Sequence, residues 1–160
     1  MFLDNKNFPF VSKLEGNWRI ILNELRNLPK RDFQPWPERH LYRKGWHVFG
    51  LIAFGKRVEP NWRACPKTTN LVTRFVPSCY TLGFSWLDPR THIKPHLGYT
   101  KAITRCHLGL VTPIGARLRV ANETRVWQEG KMIIFDDTSE HEAWNNSEVS
   151  RVVLLFDIKG

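Results

Sequence analysis

Cysteine is scarce in this sequence: Cys65, Cys79 and Cys106 are three, an odd number, and none forms a Cys-x-x-Cys pair. That excludes a disulfide framework and a zinc knuckle, and it fits a reducing compartment. No run approaches the roughly 20 apolar residues needed to span a bilayer. The first residues, MFLDNKNFPFVSKLEG, lack the basic start and unbroken apolar stretch of a secretory signal. The expectation is a cytoplasmic protein without a membrane segment. Internal repeats, low-complexity tracts and long linkers are also missing, so residues 1–160 are expected to form one domain. A chain of this length buries roughly two thirds of its unfolded surface, which builds a core without a structural metal.

Positive charge is in excess, with 24 Lys and Arg against 15 Asp and Glu, a formal +9. The basic residues come in ones and twos, as in Lys30-Arg31 and Arg43-Lys44, and never in a block. This pattern reads as a solvated surface, and nucleic acid is not expected as a partner.

Ser12-Lys13-Leu14-Glu15 has the form of a capping box, and Leu14, Trp18, Ile21, Leu25 and Leu28 follow at helical spacing. Together they predict one amphipathic helix over 12–28. After the loop-like stretch around Pro35-Trp36-Pro37 the period changes to short apolar runs at 46–54, 80–87, 105–111, 117–121, 125–128, 131–135 and 151–157. Many short strands of even spacing predict a mainly β sandwich or jelly roll.

Four groups of residues carry possible chemistry. His92 and His96 are four apart, but Pro95 breaks a continuous helix, which puts both in a loop leading to a strand. Acidic residues surround His141 in Asp136-Asp137-Thr138-Ser139-Glu140-His141-Glu142, a setting that raises a histidine's affinity for a proton or a metal. Taken alone, either cluster also reads as a solvated turn. Strand alternation in 105–111 puts Arg105, His107 and Gly109 on one face, with the glycine leaving room above them. Arg151 opens the apolar run 152–156, where a guanidinium needs an anion, supplied by a protein carboxylate or by a ligand.

In this order the groups resemble the aspartyl/asparaginyl β-hydroxylase family of Fe(II)- and 2-oxoglutarate-dependent oxygenases. The resemblance runs from Phe8-Pro9-Phe10 and Leu14-Glu15-Gly16-Asn17-Trp18 through Pro95-His96-Leu97-Gly98 and Arg105-Cys106-His107-Leu108-Gly109-Leu110. It continues in Ala121-Asn122-Glu123-Thr124, Gly130-Lys131-Met132-Ile133-Ile134-Phe135-Asp136-Asp137, Glu140-His141-Glu142-Ala143-Trp144 and Arg151. It implies a double-stranded β-helix, a cupin-like jelly roll, with the N-terminal helix packed outside. It further implies that His96 and His141 are the catalytic iron ligands. Arg151 and Ser85 would hold the far carboxylate of 2-oxoglutarate, with Arg105, His107 and Trp46 around the same co-substrate. Gly98 stands where many related oxygenases carry a ligating carboxylate, and the family is similar in lacking it. Water can take that place, and chloride would fit a halogenase variant.

The implied reaction uses O2, yields succinate and CO2, and hydroxylates an unactivated carbon. The expected carbon is the β-carbon of an Asp- or Asn-like amino acid, offered free, in a peptide or tethered to a carrier. The arginines that grip the substrate carboxylate in animal peptide hydroxylases have no clear match in Leu41-Tyr42-Arg43 or Ala102-Ile103-Thr104. The alternative from another class is a non-catalytic cupin-like module binding an anionic partner.

Overall fold

The computed structural model describes residues 1–98 and 102–159. Among these, two antiparallel sheets face each other. The larger runs in the order β1 (Gln34–Pro35), β2 (Trp46–Ala53), β4 (Cys79–Leu87), β11 (Arg151–Lys159), β6 (Ile103–Val111) and β9 (Met132–Asp136), with β3 (Lys56–Arg57) attached to β2. The smaller has the order β5 (Thr91–His96), β10 (His141–Asn145), β7 (Ala116–Val120) and β8 (Glu123–Val126). Four α-helices, α1 (Phe10–Gly16), α2 (Trp18–Arg26), α3 (Asn61–Ala64) and α4 (Pro66–Phe75), and three single-turn 3-10 helices (Asn5–Asn7, Lys30–Asp32 and Arg39–Leu41) complete the described elements. None is long and apolar enough to cross a membrane.

The large sheet is buried on both faces, which explains why β11 reads as an unbroken apolar run. Val152, Leu154 and Phe156 pack with Leu14, Ile21 and Leu25 of α1 and α2, while Val153 and Leu155 pack with Ile93, Leu118 and Ala143 of the small sheet. The inner core between the sheets is the jelly-roll interior, and the helices lie outside it. On the outer side of β9, Leu3 N donates to Ile134 O at 2.8 Å, Asp136 N donates to Met1 O at 3.0 Å, and Phe2 pairs with Phe135.

The helix expected over 12–28 is two helices, broken at Asn17. All five apolar positions face inward or pack against the core as the spacing requires. The first helix starts after Pro9, two residues before Ser12, so Ser12 caps nothing. Glu15 instead accepts a hydrogen bond from Met132 N at 2.9 Å and ties α1 to β9. Helix α4 was not legible because its N-terminus is capped from a distance. Glu24 of α2 accepts from Lys67 N, Thr68 N and Thr68 Oγ1 at 2.7–3.0 Å.

Candidate active site

His92 and His96 lie on a strand, β5, and not in a loop. In the β5–β10 ladder His141 pairs with His96 but Ala143 pairs with Ile93, so β5 carries one residue more than β10 in that interval. The extra residue is a bulge at Lys94-Pro95, a place that suits proline, which cannot donate to the ladder. It reverses the alternation. Ile93 faces the interior, His92 faces solvent, and the bulge brings His96 round to the interior side beside His141. The ring centroids of His96 and His141 are 4.3 Å apart.

Both rings are held in the same way. His96 Nδ1 lies 2.7 Å from Lys94 O, and His141 Nδ1 lies 2.7 Å from Ser139 O. A carbonyl accepts only, so each Nδ1 carries the proton and each Nε2 keeps a lone pair for a metal. The acidic surroundings do not raise the proton affinity of His141 as its sequence context suggests. Burial dominates and lowers its pKa to about 3, which keeps the imidazole neutral and ligating.

Asp137 sits next to this pair, with Oδ1 3.5 Å from His141 Nε2 and 3.6 Å from Arg105 Nη1. It is 0 % exposed, and among the described residues neither carboxylate oxygen has a hydrogen-bond partner. A β-carbon on Gly98 would lie 2.0 Å from Asp137 Oδ2, so this carboxylate fills the space beside Gly98. Burial raises the Asp137 pKa, against the nearby Arg105 charge. Among the described residues no three His, Cys, Asp or Glu side chains form a complete ligand cluster. Two imidazoles anchored through Nδ1, with a buried carboxylate that has no hydrogen-bond partner among the described residues, nevertheless fit a divalent cation that keeps open positions for water and co-substrate.

Deeper in the interior, Arg151 is fully buried and has no carboxylate partner among the described residues. Its Nη2 donates to Ser85 Oγ at 2.9 Å and Ser85 O at 3.1 Å, its guanidinium lies 4.6 Å from the Trp127 ring, and its Nε is unsatisfied. Burial pulls its pKa down to about 9, which leaves it charged at neutral pH. Ser85 Oγ also accepts from Trp46 Nε1 at 2.9 Å. Its own hydroxyl hydrogen therefore remains to be donated. Trp36 stacks on Trp46 at 4.2 Å.

Arg105, His107 and Gly109 share the inner face, as the alternation requires. Gly109, however, leaves no room: a β-carbon there would lie 2.1 Å from Gln128 O. The close approach of this backbone sets Trp127, which was expected within a strand over 125–128 but follows the observed β8 (Glu123–Val126), beside His107. Trp127 Nε1 donates to His107 Nδ1 at 3.1 Å, which fixes the proton of the neutral ring on Nε2. Burial, with Arg151 and Arg105 nearby, holds the His107 pKa well below its usual value. Arg105 is engaged by Asp157 through Nε and Nη2 at 2.8 and 2.9 Å.

Of the residues singled out in the sequence, Trp46, Ser85 and Arg151 form one bonded group, Trp127 joins His107 to it, and His96 and His141 form a second group joined through Asp137 to Arg105. Trp36, Trp127, Asp137 and Asp157 had no role assigned from sequence. Only Asp137 carried a local signal, four residues before His141.

The comparisons agree with this architecture. A family model described as Aspartyl/Asparaginyl beta-hydroxylase matches residues 15–160. The human "Aspartyl/asparaginyl beta-hydroxylase" is 37% identical over 156 residues, covering 92% of this chain and 21% of the human protein. The "Ornithine lipid ester-linked acyl 2-hydroxylase" of Rhizobium tropici is 35% identical over 165 residues, covering 96% of this chain and 58% of that protein. The chain thus spans about a fifth of the first relative and under two thirds of the second. A crystal structure of an oxidoreductase of the 2OG-Fe(II) oxygenase family from Burkholderia pseudomallei superposes with TM-score 0.62 at 14% identity, covering 87% of this chain and 76% of that one, which supports the fold. With the family match running over nearly the whole chain, this protein belongs to the aspartyl/asparaginyl β-hydroxylase family.

Proposed function

We propose that the chain is an Fe(II)- and 2-oxoglutarate-dependent hydroxylase that acts on an unactivated carbon, using O2 and releasing succinate and CO2. The observation that carries this reading is Arg151: a buried, charged guanidinium without a carboxylate partner among the described residues is costly, and a dicarboxylate co-substrate would supply the missing anion. Ser85 would give its hydroxyl hydrogen to the same carboxylate. His107, neutral with its proton on Nε2, would add a second neutral donor, and Trp46 and Trp127 close the site against water.

His96 and His141 would hold the iron through Nε2, and their carbonyl partners keep both lone pairs available. Iron so bound supplies oxygen activation coupled to decarboxylation of the keto acid. Asp137 would accept hydrogen bonds from water in the position that Gly98 leaves without a ligand. Its carboxylate also opposes entry of a halide there, which favours hydroxylation over halogenation. The reacting centre belongs, in this proposal, to an amino-acid-like group, free, peptidyl or carrier-tethered, with the β-carbon of Asp or Asn as first choice. The cytoplasmic placement read from three free thiols belongs to the same proposal.

The test is anaerobic titration of the apo protein with Fe(II) and then 2-oxoglutarate. A weak visible charge-transfer band is expected, and it is lost in His141→Ala. Its absence in folded, iron-loaded protein would return the chain to the non-catalytic module.

A further inference from the structure

A groove of about 480 Å3 runs along the exposed side of α2, bounded by Lys67 at the start of α4 and by Glu129 in the loop after β8. It lies on the helix side of the large sheet, away from the interior between the sheets.

The lining is cationic. Arg19, Asn23 and Arg26 recur at steps of four and three, which sets them on one stripe of α2, and Lys67 joins them from α4. All three cations are exposed, and among the described residues none of them meets a carboxylate. Glu24, the acid of α2, is already held by Lys67 N, Thr68 N and Thr68 Oγ1. Glu129 offsets one of the three charges and leaves the groove positive. Elsewhere on the surface arginines are paired within the chain, Arg90 with Glu148, Arg119 with Glu140 and Glu142, and Arg125 with Glu123.

The spacing of the stripe suits a polymer. Seven residues of helix separate Arg19 from Arg26 by about 10 Å. Three residues of extended chain cover about the same distance, so carboxylates at every third position of an extended segment would reach both arginines. Trp18 does not offer a stacking platform: the Arg19 guanidinium lies 5.2 Å from its ring centroid, and a β-carbon on Gly130 would lie 2.8 Å from the same ring. Single-stranded nucleic acid would lack the aromatic contacts it uses. Ile20, 41% exposed, adds one aliphatic contact in a concave surface, too little apolar area to seat in a bilayer.

We propose that this groove docks an extended acidic segment of a partner protein, with its carboxylates on Arg19, Arg26 and Lys67 and an aliphatic side chain on Ile20. The contact lies outside the reaction site, so it stands or falls independently of the hydroxylase reading.

The test is fluorescence anisotropy of the full chain with a labelled Glu-Leu-Ser repeat peptide of about twelve residues, compared with the same peptide carrying glutamine for glutamate. The glutamate peptide is expected to bind at least tenfold more tightly, with the preference fading between about 50 and about 200 mM salt. Arg19→Gln combined with Arg26→Gln preserves helix propensity and should weaken the glutamate peptide about tenfold. Arg117→Gln, at an exposed position of the small sheet, should leave its affinity unchanged. Lys67→Glu puts an acid in the first turn of α4, where a helix accepts it, and should abolish the preference for glutamate.

Equal affinity for the two peptides, or a glutamate preference that survives both groove variants, overturns the proposal. Binding of single-stranded DNA or phosphatidylserine vesicles through Arg19 and Arg26, without binding of the glutamate peptide, overturns it as well and assigns the groove to a different polyanion.

Discussion

His96 sits opposite His141 in the β5–β10 ladder although Ile93, three residues earlier, sits opposite Ala143, two residues later. A single extra residue therefore decides whether the first histidine enters the barrel. Pro95→Val, which gives position 95 an N–H and a strand-favouring side chain so that it can join the ladder, should remove the bulge at unchanged length, turning residue 95 inward and His96 to solvent. The expected outcome is loss of iron uptake, measured as bound metal per chain, with the thermal transition still cooperative. Retained stoichiometric iron would show that the bulge does not control the ligand.

Arg151 makes opposite contributions to the empty and the loaded protein. Arg151→Met should stabilise the apo chain by roughly 1 kcal/mol or more, since it removes a buried charge that lacks a counterion. The same change should raise the Michaelis constant for 2-oxoglutarate by roughly thirtyfold, as when one member of a buried charge pair is truncated. Urea midpoints with and without 2-oxoglutarate would show both effects. A variant less stable than wild type when apo would mean that Ser85 and Trp127 already satisfy the charge.

Gly98 and Asp137 compete for one volume. Gly98→Asp should not create a third ligand; it should weaken iron binding at least tenfold, because its β-carbon meets Asp137 Oδ2 at 2.0 Å. Adding Asp137→Gly should recover only part of that loss, because the backbone oxygen of residue 137 also lies 2.6 Å from that β-carbon. A double-mutant cycle in iron affinity would show this as coupling, and additive effects would refute the shared space.

Acid should destabilise the apo protein before its carboxylates titrate. His107 has a folded pKa well below 6.5, and His141 one of about 3, both through burial. The unfolded chain binds these protons near pH 6.5 and the folded chain does not. Stability is therefore full above about 6.5 and falls with decreasing pH, by up to about 1.4 kcal/mol per unit for each group. Unfolding free energies measured from pH 6.5 down to about 5.3 should steepen towards a slope of two protons in wild type and one in His107→Gln; equal slopes would contradict the assignment.

The sequence carried what depends on local periodicity. The shared face of Arg105 and His107 follows from strand alternation, and the apolar run of β11 follows from burial on both sides. It did not carry what depends on partners far along the chain. The side to which His96 turns is set by pairing with β10, and α4 begins where Glu24, more than forty residues earlier, caps it. Gly109 looked like vacant space because the backbone of Gln128, which fills it, arrives from the loop after β8. Arg151 was legible as an anion seeker, but the absence of a protein carboxylate required the packed interior.

The N-terminal residues that run beside β9 also guard the protein from itself. Backbone groups of Ile134 and Asp136, which would otherwise template another chain, are occupied by Leu3 and Met1. At the opposite border β1 is two residues long and contains Pro35, and in the small sheet β5 is interrupted by the bulge at Lys94-Pro95 while β8 carries the Glu123–Arg125 ion pair. Each border is shortened, charged or interrupted, so a sheet rich in Val, Ile and Leu offers no long flat strand on which polymerisation could begin.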